Sequence, residues 1–182
     1  MSSDKARVDT NNEKYKLLIS EEQIYRRVKE LAHQISADYY NKCPILIGVL
    51  NGAFIFLSDL IREMNIDCEV DFVKISSYGG GRVSTGQIKA KKQFDSHVDG
   101  RHILIVEDIA DSGRSIKFLE KMFVDTQPAS LKFASLLLKE GNAVVDFKLD
   151  YVGFTIPTKF VVGYGLDFDQ KYRNLRSIYV LD

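Results

Sequence analysis

The sequence predicts an α/β domain built on an open, twisted parallel sheet flanked by helices. Three observations lead there. Short, apolar, β-branched runs recur at residues 45–50, 103–106 and 131–138, and runs of that kind are strands buried on both faces. Stretches with apolar residues at helical spacing lie beside them. Small, polar or acidic residues follow the runs, at the strand ends where open α/β sheets bind ligands.

Composition agrees with one such domain. The chain has 182 residues, 45% apolar and 27% charged, with a formal net charge of zero. That balance gives no global sign of nucleic acid or an anionic membrane as a partner. No apolar run approaches the roughly 18 residues of a membrane span, and residues 1–12 are polar, without an apolar signal region. Cys43 and Cys68 form neither a disulfide framework nor a metal pattern, so a reducing, cytoplasmic setting is expected. His33, His97 and His102 are scattered, without metal-binding spacing.

Residues 1–18 read as a loose polar arm. Ser20-Glu21-Glu22-Gln23 is a capping box. Ile24, Val28, Leu31, Ile35 and Tyr39 follow at the spacing of a scaffold helix. Residues 44–50 form a buried strand. Asn51-Gly52 comes next, then a helical stripe of Phe54, Leu57, Leu60, Ile61 and Met64, so the Asn-Gly pair is a strand-to-helix loop with bare backbone, or merely a tight turn. Val70, Phe72, Val73 and Ile75 mark another strand. Beyond Ser76-Ser77-Tyr78, a polar, glycine-rich segment runs to Gly100; a loop that long is a lid or a disordered insertion. After residues 103–116, Ile116, Leu119, Phe123 and Val124 make the buried face of a helix. Residues 131–138 are a strand with Lys139 at its end, either in a ligand crevice or snorkelling at the surface.

The chain is organised around residues 102–116. The apolar run Ile103 to Val106 leads to Glu107 and Asp108 at the expected strand end, and then to Asp111-Ser112-Gly113-Arg114-Ser115 before a helix. A loop entering a helix presents unpaired N–H groups and the positive dipole end to a phosphate. Neighbouring carboxylates suit a diol or magnesium. The pattern points to a sugar phosphate; a simpler reading is that these residues only cap the helix.

Residues 106–115, Val-Glu-Asp-Ile-Ala-Asp-Ser-Gly-Arg-Ser, resemble the phosphoribosyl-pyrophosphate signature of type I phosphoribosyltransferases. Residues 151–175, with Lys159-Phe160-Val161-Val162-Gly163-Tyr164-Gly165-Leu166-Asp167 and Arg173-Asn174-Leu175, resemble the carboxyl-terminal hood of the hypoxanthine-guanine phosphoribosyltransferases. The resemblance implies the type I phosphoribosyltransferase fold over residues 1–182. Its core would span about 20–138, its hood the amino-terminal arm and about 139–182, and its flexible lid about 77–100.

It implies purine salvage, with 5-phosphoribosyl 1-pyrophosphate and hypoxanthine or guanine as substrates. Asp111 would be the general base. Glu107, Asp108, Ser112, Gly113, Arg114 and Ser115 would bind the ribose and its 5′-phosphate. Asn51, Gly52, Arg173 and the lid residues Ser77 and Tyr78 would meet pyrophosphate, across a cis peptide between Leu50 and Asn51. Lys139 would bond the purine 6-oxo group, Phe160 would stack on the base, and Val161 would meet its edge. Asp167 would meet the purine too, Asp111 would also line the phosphate site, and Asp167, Glu107 and Asp108 would serve magnesium. A homodimer or homotetramer is implied. The family often has Lys-Gly where this chain has Asn51-Gly52, and an arginine after the lysine where Glu140-Gly141-Asn142-Ala143 offers none. Xanthine specificity, an RNA-binding regulator and a receiver-like domain are the competing readings; the last leaves Lys139, Phe160 and Arg173 unexplained.

Overall fold

The computed structural model describes residues 15–77 and 88–181. Its elements are β1 (Tyr15–Ile19), α1 (Glu21–Asp38), β2 (Ile45–Leu50), α2 (Phe54–Glu63), β3 (Glu69–Ser77), β4 (Ile88–Lys92), β5 (His102–Ala110), α3 (Arg114–Met122), β6 (Ser130–Lys139), β7 (Tyr151–Ile156), β8 (Val161–Val162) and β9 (Ile178–Leu181). The main sheet has the order β4-β3-β2-β5-β6-β7. All its pairings are parallel except β3 with β4. The order reverses between β2 and β5, and their carboxyl ends frame the crevice where such sheets bind ligands.

Strand alternation divides the core in two. Leu46, Leu104, Val106 and Leu136 face α1 and α2, joining Ile24, Val28, Leu31, Leu57 and Leu60. Ile45, Ile47, Ile103, Ile105 and Phe133 face the other way and pack with Ile116 and Leu119 of α3. Each such side chain contributes on the order of 1.5–3 kcal/mol by leaving water. The α1 capping box forms as expected, with Ser20 and Gln23 bonding each other's backbone.

Several expectations are corrected. Residues 15–19 are not a loose arm: β1 pairs antiparallel with β9 in a three-stranded hood sheet, β1-β9-β8. In α2 the buried aromatic is Phe56, while Phe54 is 43% exposed. Val124 lies past the end of α3 and is 74% exposed. The segment expected to be a lid is structured on its far side, because β4 pairs with β3, Phe94 stacks on Phe123 at 4.9 Å, and Val98 is buried. The part of it at 78–87, including Tyr78, lies outside the described residues.

The hood is tied to the core by polar contacts. The Tyr164 hydroxyl donates to Asp59 of α2 at 2.6 Å. The Glu21 N–H donates to Ser177 Oγ at 3.1 Å. Residues 151–156, expected in the hood, instead form β7, the edge strand of the main sheet paired with β6, and Arg27 of α1 fastens that strand within the core by donating to the carbonyls of Gly153 and Val152 at 2.9 and 2.8 Å.

Candidate active site

The loop after β2 and the end of β5 meet at the sheet's reversal. The Leu50–Asn51 peptide is cis, as the sequence resemblance implied. Gly52 is buried, and a Cβ there would overlap the Asp108 carboxylate. Only glycine allows the loop backbone to lie against that acid.

β5 runs on to Ala110, because β6 continues to pair with it through Ala110↔Leu138. Glu107 and Asp108 therefore lie inside the strand, not beyond its end, and point to opposite faces. Glu107 faces α3. It is 3% exposed and accepts from the Ser115 hydroxyl at 3.3 Å. Burial, reinforced by the charge of Asp108, pushes its carboxyl up to about 8. Asp108 faces Gly52. Burial raises it to about 6, against the pull of the N–H groups of Ile109 and of Asp108 itself and of Arg173; Asp167 adds a further upward push.

The loop at 111–113 enters α3 through Gly113, in the left-handed conformation at φ 78°. No side chain caps α3. Asp111 and Ser115, the residues that capping would use, turn elsewhere: Ser115 to Glu107, Asp111 to Lys139 and Asn142. The capping-only reading therefore fails. No side-chain cap hydrogen bond is made to the first turn of α3, which leaves its N–H groups available to an anion.

Lys139 stands at the carboxyl end of β6. Its Nζ lies 2.9 Å from Asp111 Oδ2, with the two side chains 14% and 39% exposed. The Asn142 amide donates to Asp111 Oδ1. In the hood, Val161 is buried in β8, and Phe160 packs edge-on against Phe168 at 5.6 Å. Arg173 reaches Asp167 Oδ1 at 2.8 Å and the Gly165 carbonyl at 2.7 Å. Gly165 in turn abuts the Gly52 carbonyl. The hood is thus joined to the loop after β2.

The family model for the phosphoribosyl transferase domain matches residues 17–169. A hypoxanthine-guanine phosphoribosyltransferase of Bacillus subtilis is 46% identical over 166 residues, 91% of this chain and 92% of that protein. The chain belongs to the hypoxanthine-guanine phosphoribosyltransferase family. The crystal structure of such an enzyme from Bacillus anthracis superposes with a TM-score of 0.86 at 44% identity, covering 92% of this chain and 98% of that one. The hypoxanthine phosphoribosyltransferase of Trypanosoma cruzi in complex with the product IMP gives 0.84 at 39% identity, covering 96% and 97%.

Viewed as a phosphoribosyltransferase, the fold brings most of the expected residues into two groups. One joins Asp111 with Lys139, beside Ser112, Gly113, Arg114 and Ser115. The other joins Gly52, Asp108, Asp167 and Arg173 around the loop that carries Asn51. Ser77 ends β3. Among the described residues, no three His, Cys, Asp or Glu side chains are gathered as a metal cage, so Glu107, Asp108 and Asp167 do not form one preformed ligand set. Magnesium is commonly held by one or two carboxylates plus substrate phosphate oxygens. The oxygen-only donors here fit it.

Asn142 was not foreseen. Its only signal in the sequence is its place three residues after Lys139, in a stretch read there as lacking an arginine.

Proposed function

We propose that the chain transfers the 5-phosphoribosyl group of 5-phospho-α-D-ribose 1-diphosphate to hypoxanthine, and to guanine, giving IMP or GMP and diphosphate in purine salvage. The observation that carries this reading is the Lys139–Asp111 pair. It sets a cationic donor suited to a 6-oxo group beside a carboxylate suited to the purine N7 proton, both at the edge of an uncapped helix N-terminus.

The 5′-phosphate sits in the 112–115 loop, on the first-turn N–H groups of α3, with Arg114 at their edge. The ribose hydroxyls donate to Asp108 and Glu107, which fixes the sugar. The base stacks on Phe160, meets Val161 at its edge and donates no proton to Lys139, whose ammonium bonds O6. Diphosphate lies against the amides of Asn51 and Gly52, near Arg173, and Ser77 is assigned to it as well. Purine N9 bonds to C1′, the C1′–O bond breaks with its electron pair going to diphosphate, and Asp111 takes the N7 proton. Magnesium held by Asp167, with Asp108 on the same side as a further donor, would neutralise the charge on the leaving group; Glu107, buried against Ser115 on the opposite face, is not assigned to it.

Small-molecule substrates suffice for this chemistry, and nucleic acid has no part in it. We assign a homodimer or homotetramer, in keeping with a structural relative from Trypanosoma cruzi described in terms of its oligomeric state. We place the enzyme in the cytoplasm, where the free thiols of Cys43 and Cys68 stay reduced. Steady-state turnover of hypoxanthine, guanine, xanthine and adenine with the pyrophosphorylated sugar tests the reading. Nucleotide from hypoxanthine and guanine supports it; none from any 6-oxopurine overturns it.

A further inference from the structure

The segment after β6 folds back over the loop before α3 and touches three consecutive residues of it. Asn142 Nδ2 donates to Asp111 Oδ1. The N–H groups of Val144 and Val145 both point to the Ser112 carbonyl, at 3.1 and 3.4 Å. The Phe147 ring lies where a side chain on Gly113 would be. A carboxylate only accepts hydrogen bonds, so the Asn142 amide must present its NH2 to it. The two oxygens of Asp111 are thus divided, Oδ1 to Asn142 and Oδ2 to Lys139.

We infer that Asn142 is a positioning residue for Asp111. The inference rests on the reading of Asp111 as the base. When a 6-oxopurine enters, Lys139 turns to its O6 and gives up Oδ2. Without a second partner the carboxylate would then be free to rotate. Asn142 keeps Oδ1 fixed, so that Oδ2 stays directed at the N7 proton. The same segment anchors Ser112 and Gly113, so the carboxylate is held in register with the phosphate loop.

The experiment is a double-mutant cycle on kcat with saturating hypoxanthine and phosphoribosyl pyrophosphate, using Asn142→Ala, Asn142→Asp, Asn142→Gln and Asp111→Asn. Misplacing a reacting group by about 1 Å costs on the order of 100-fold, so Asn142→Ala is expected to lower kcat about 10–100-fold. The KM for phosphoribosyl pyrophosphate should stay within about twofold, since a positioning loss falls on kcat. Asn142→Asp keeps the shape without the donor and should lose as much. Asn142→Gln, which retains an amide donor, should recover part of the rate. In the Asp111→Asn background, Asn142→Ala should cost nothing further, because residues acting as a unit are non-additive. Unchanged kcat in Asn142→Ala, or losses that multiply in the double variant, would overturn the inference. A wild-type chain inactive on 6-oxopurines would instead overturn the function on which it rests.

Discussion

Gly165 of the hood lies against the carbonyl oxygen of Gly52 in the loop after β2, closely enough that a Cβ on residue 165 would overlap it. Gly165 also has φ +98°. Two regions far apart in the chain therefore meet backbone to backbone, and Arg173 closes the contact by donating to the Gly165 carbonyl at 2.7 Å. Gly165→Ala should push the hood off this loop. A non-glycine residue at such a φ costs on the order of 1–3 kcal/mol. Thermal unfolding should register that loss, and kcat/KM for phosphoribosyl pyrophosphate should fall at least about tenfold. A variant with native stability and kinetics would show that the contact is dispensable.

Asp111→Asn should lower kcat by about 10²–10⁴-fold, the usual worth of a general base. Binding of phosphoribosyl pyrophosphate should be nearly unchanged, because the 5′-phosphate is held by N–H groups of α3. Calorimetric titration alongside turnover separates the two effects. Full activity with the chemical step limiting would remove Asp111 from its role.

Adenine should be a very poor substrate. Its 6-amino group meets Lys139, which has donors only. Sites built on such a contact discriminate by roughly 10⁴–10⁵-fold. Lys139→Ala should erode that preference, measured as the ratio of kcat/KM for hypoxanthine over adenine. Retained selectivity would assign discrimination to other groups.

Asp71 of β3 anchors the segment leading into β5. Its carboxylate accepts from the N–H groups of Phe72, Asp95 and Ser96 and from the Ser96 hydroxyl, at 2.7–2.8 Å. Burial opposes its charge, yet these bonds hold it down to about 2, below the ordinary 3.8. A depressed folded value stabilises above the unfolded value and loses that stability as pH falls through the folded one. Asp71→Asn should cost on the order of 1–3 kcal/mol near pH 7, and its difference from wild type should shrink between about pH 4 and 2. Denaturant titrations across that range measure the difference; a gap constant with pH would contradict the assignment.

Strands β2, β3, β5 and β6 and the core faces were legible because periodicity fixes them locally; β4 and β7, which lie in the segments expected to be lid and hood, were not. Leu104 and Ile105 must face opposite ways whatever follows. The loop before α3 and Lys139 were legible as a pattern at strand ends, and the acids as a pair, although the strand carrying them runs on to Ala110. β1 was not, because five residues with two leucines specify a strand only once β9 arrives from the far end of the chain. The ordering of residues 93–98 depends on Phe94 finding Phe123 and on Asp71 gathering the N–H groups of Asp95 and Ser96, none of which is local. Asn142 was missed for the same reason, since its partner is set by how the chain folds back after β6. The extension of β5 past Glu107 reflects its pairing with β6 and not its own composition.

The most direct test of the account is product stoichiometry. Hypoxanthine and 5-phospho-α-D-ribose 1-diphosphate are incubated with the wild-type chain and magnesium, and IMP and diphosphate are quantified together over time. The account predicts equal amounts of the two, and almost no AMP or diphosphate when adenine replaces hypoxanthine. Diphosphate released without IMP, or neither product formed, would contradict it.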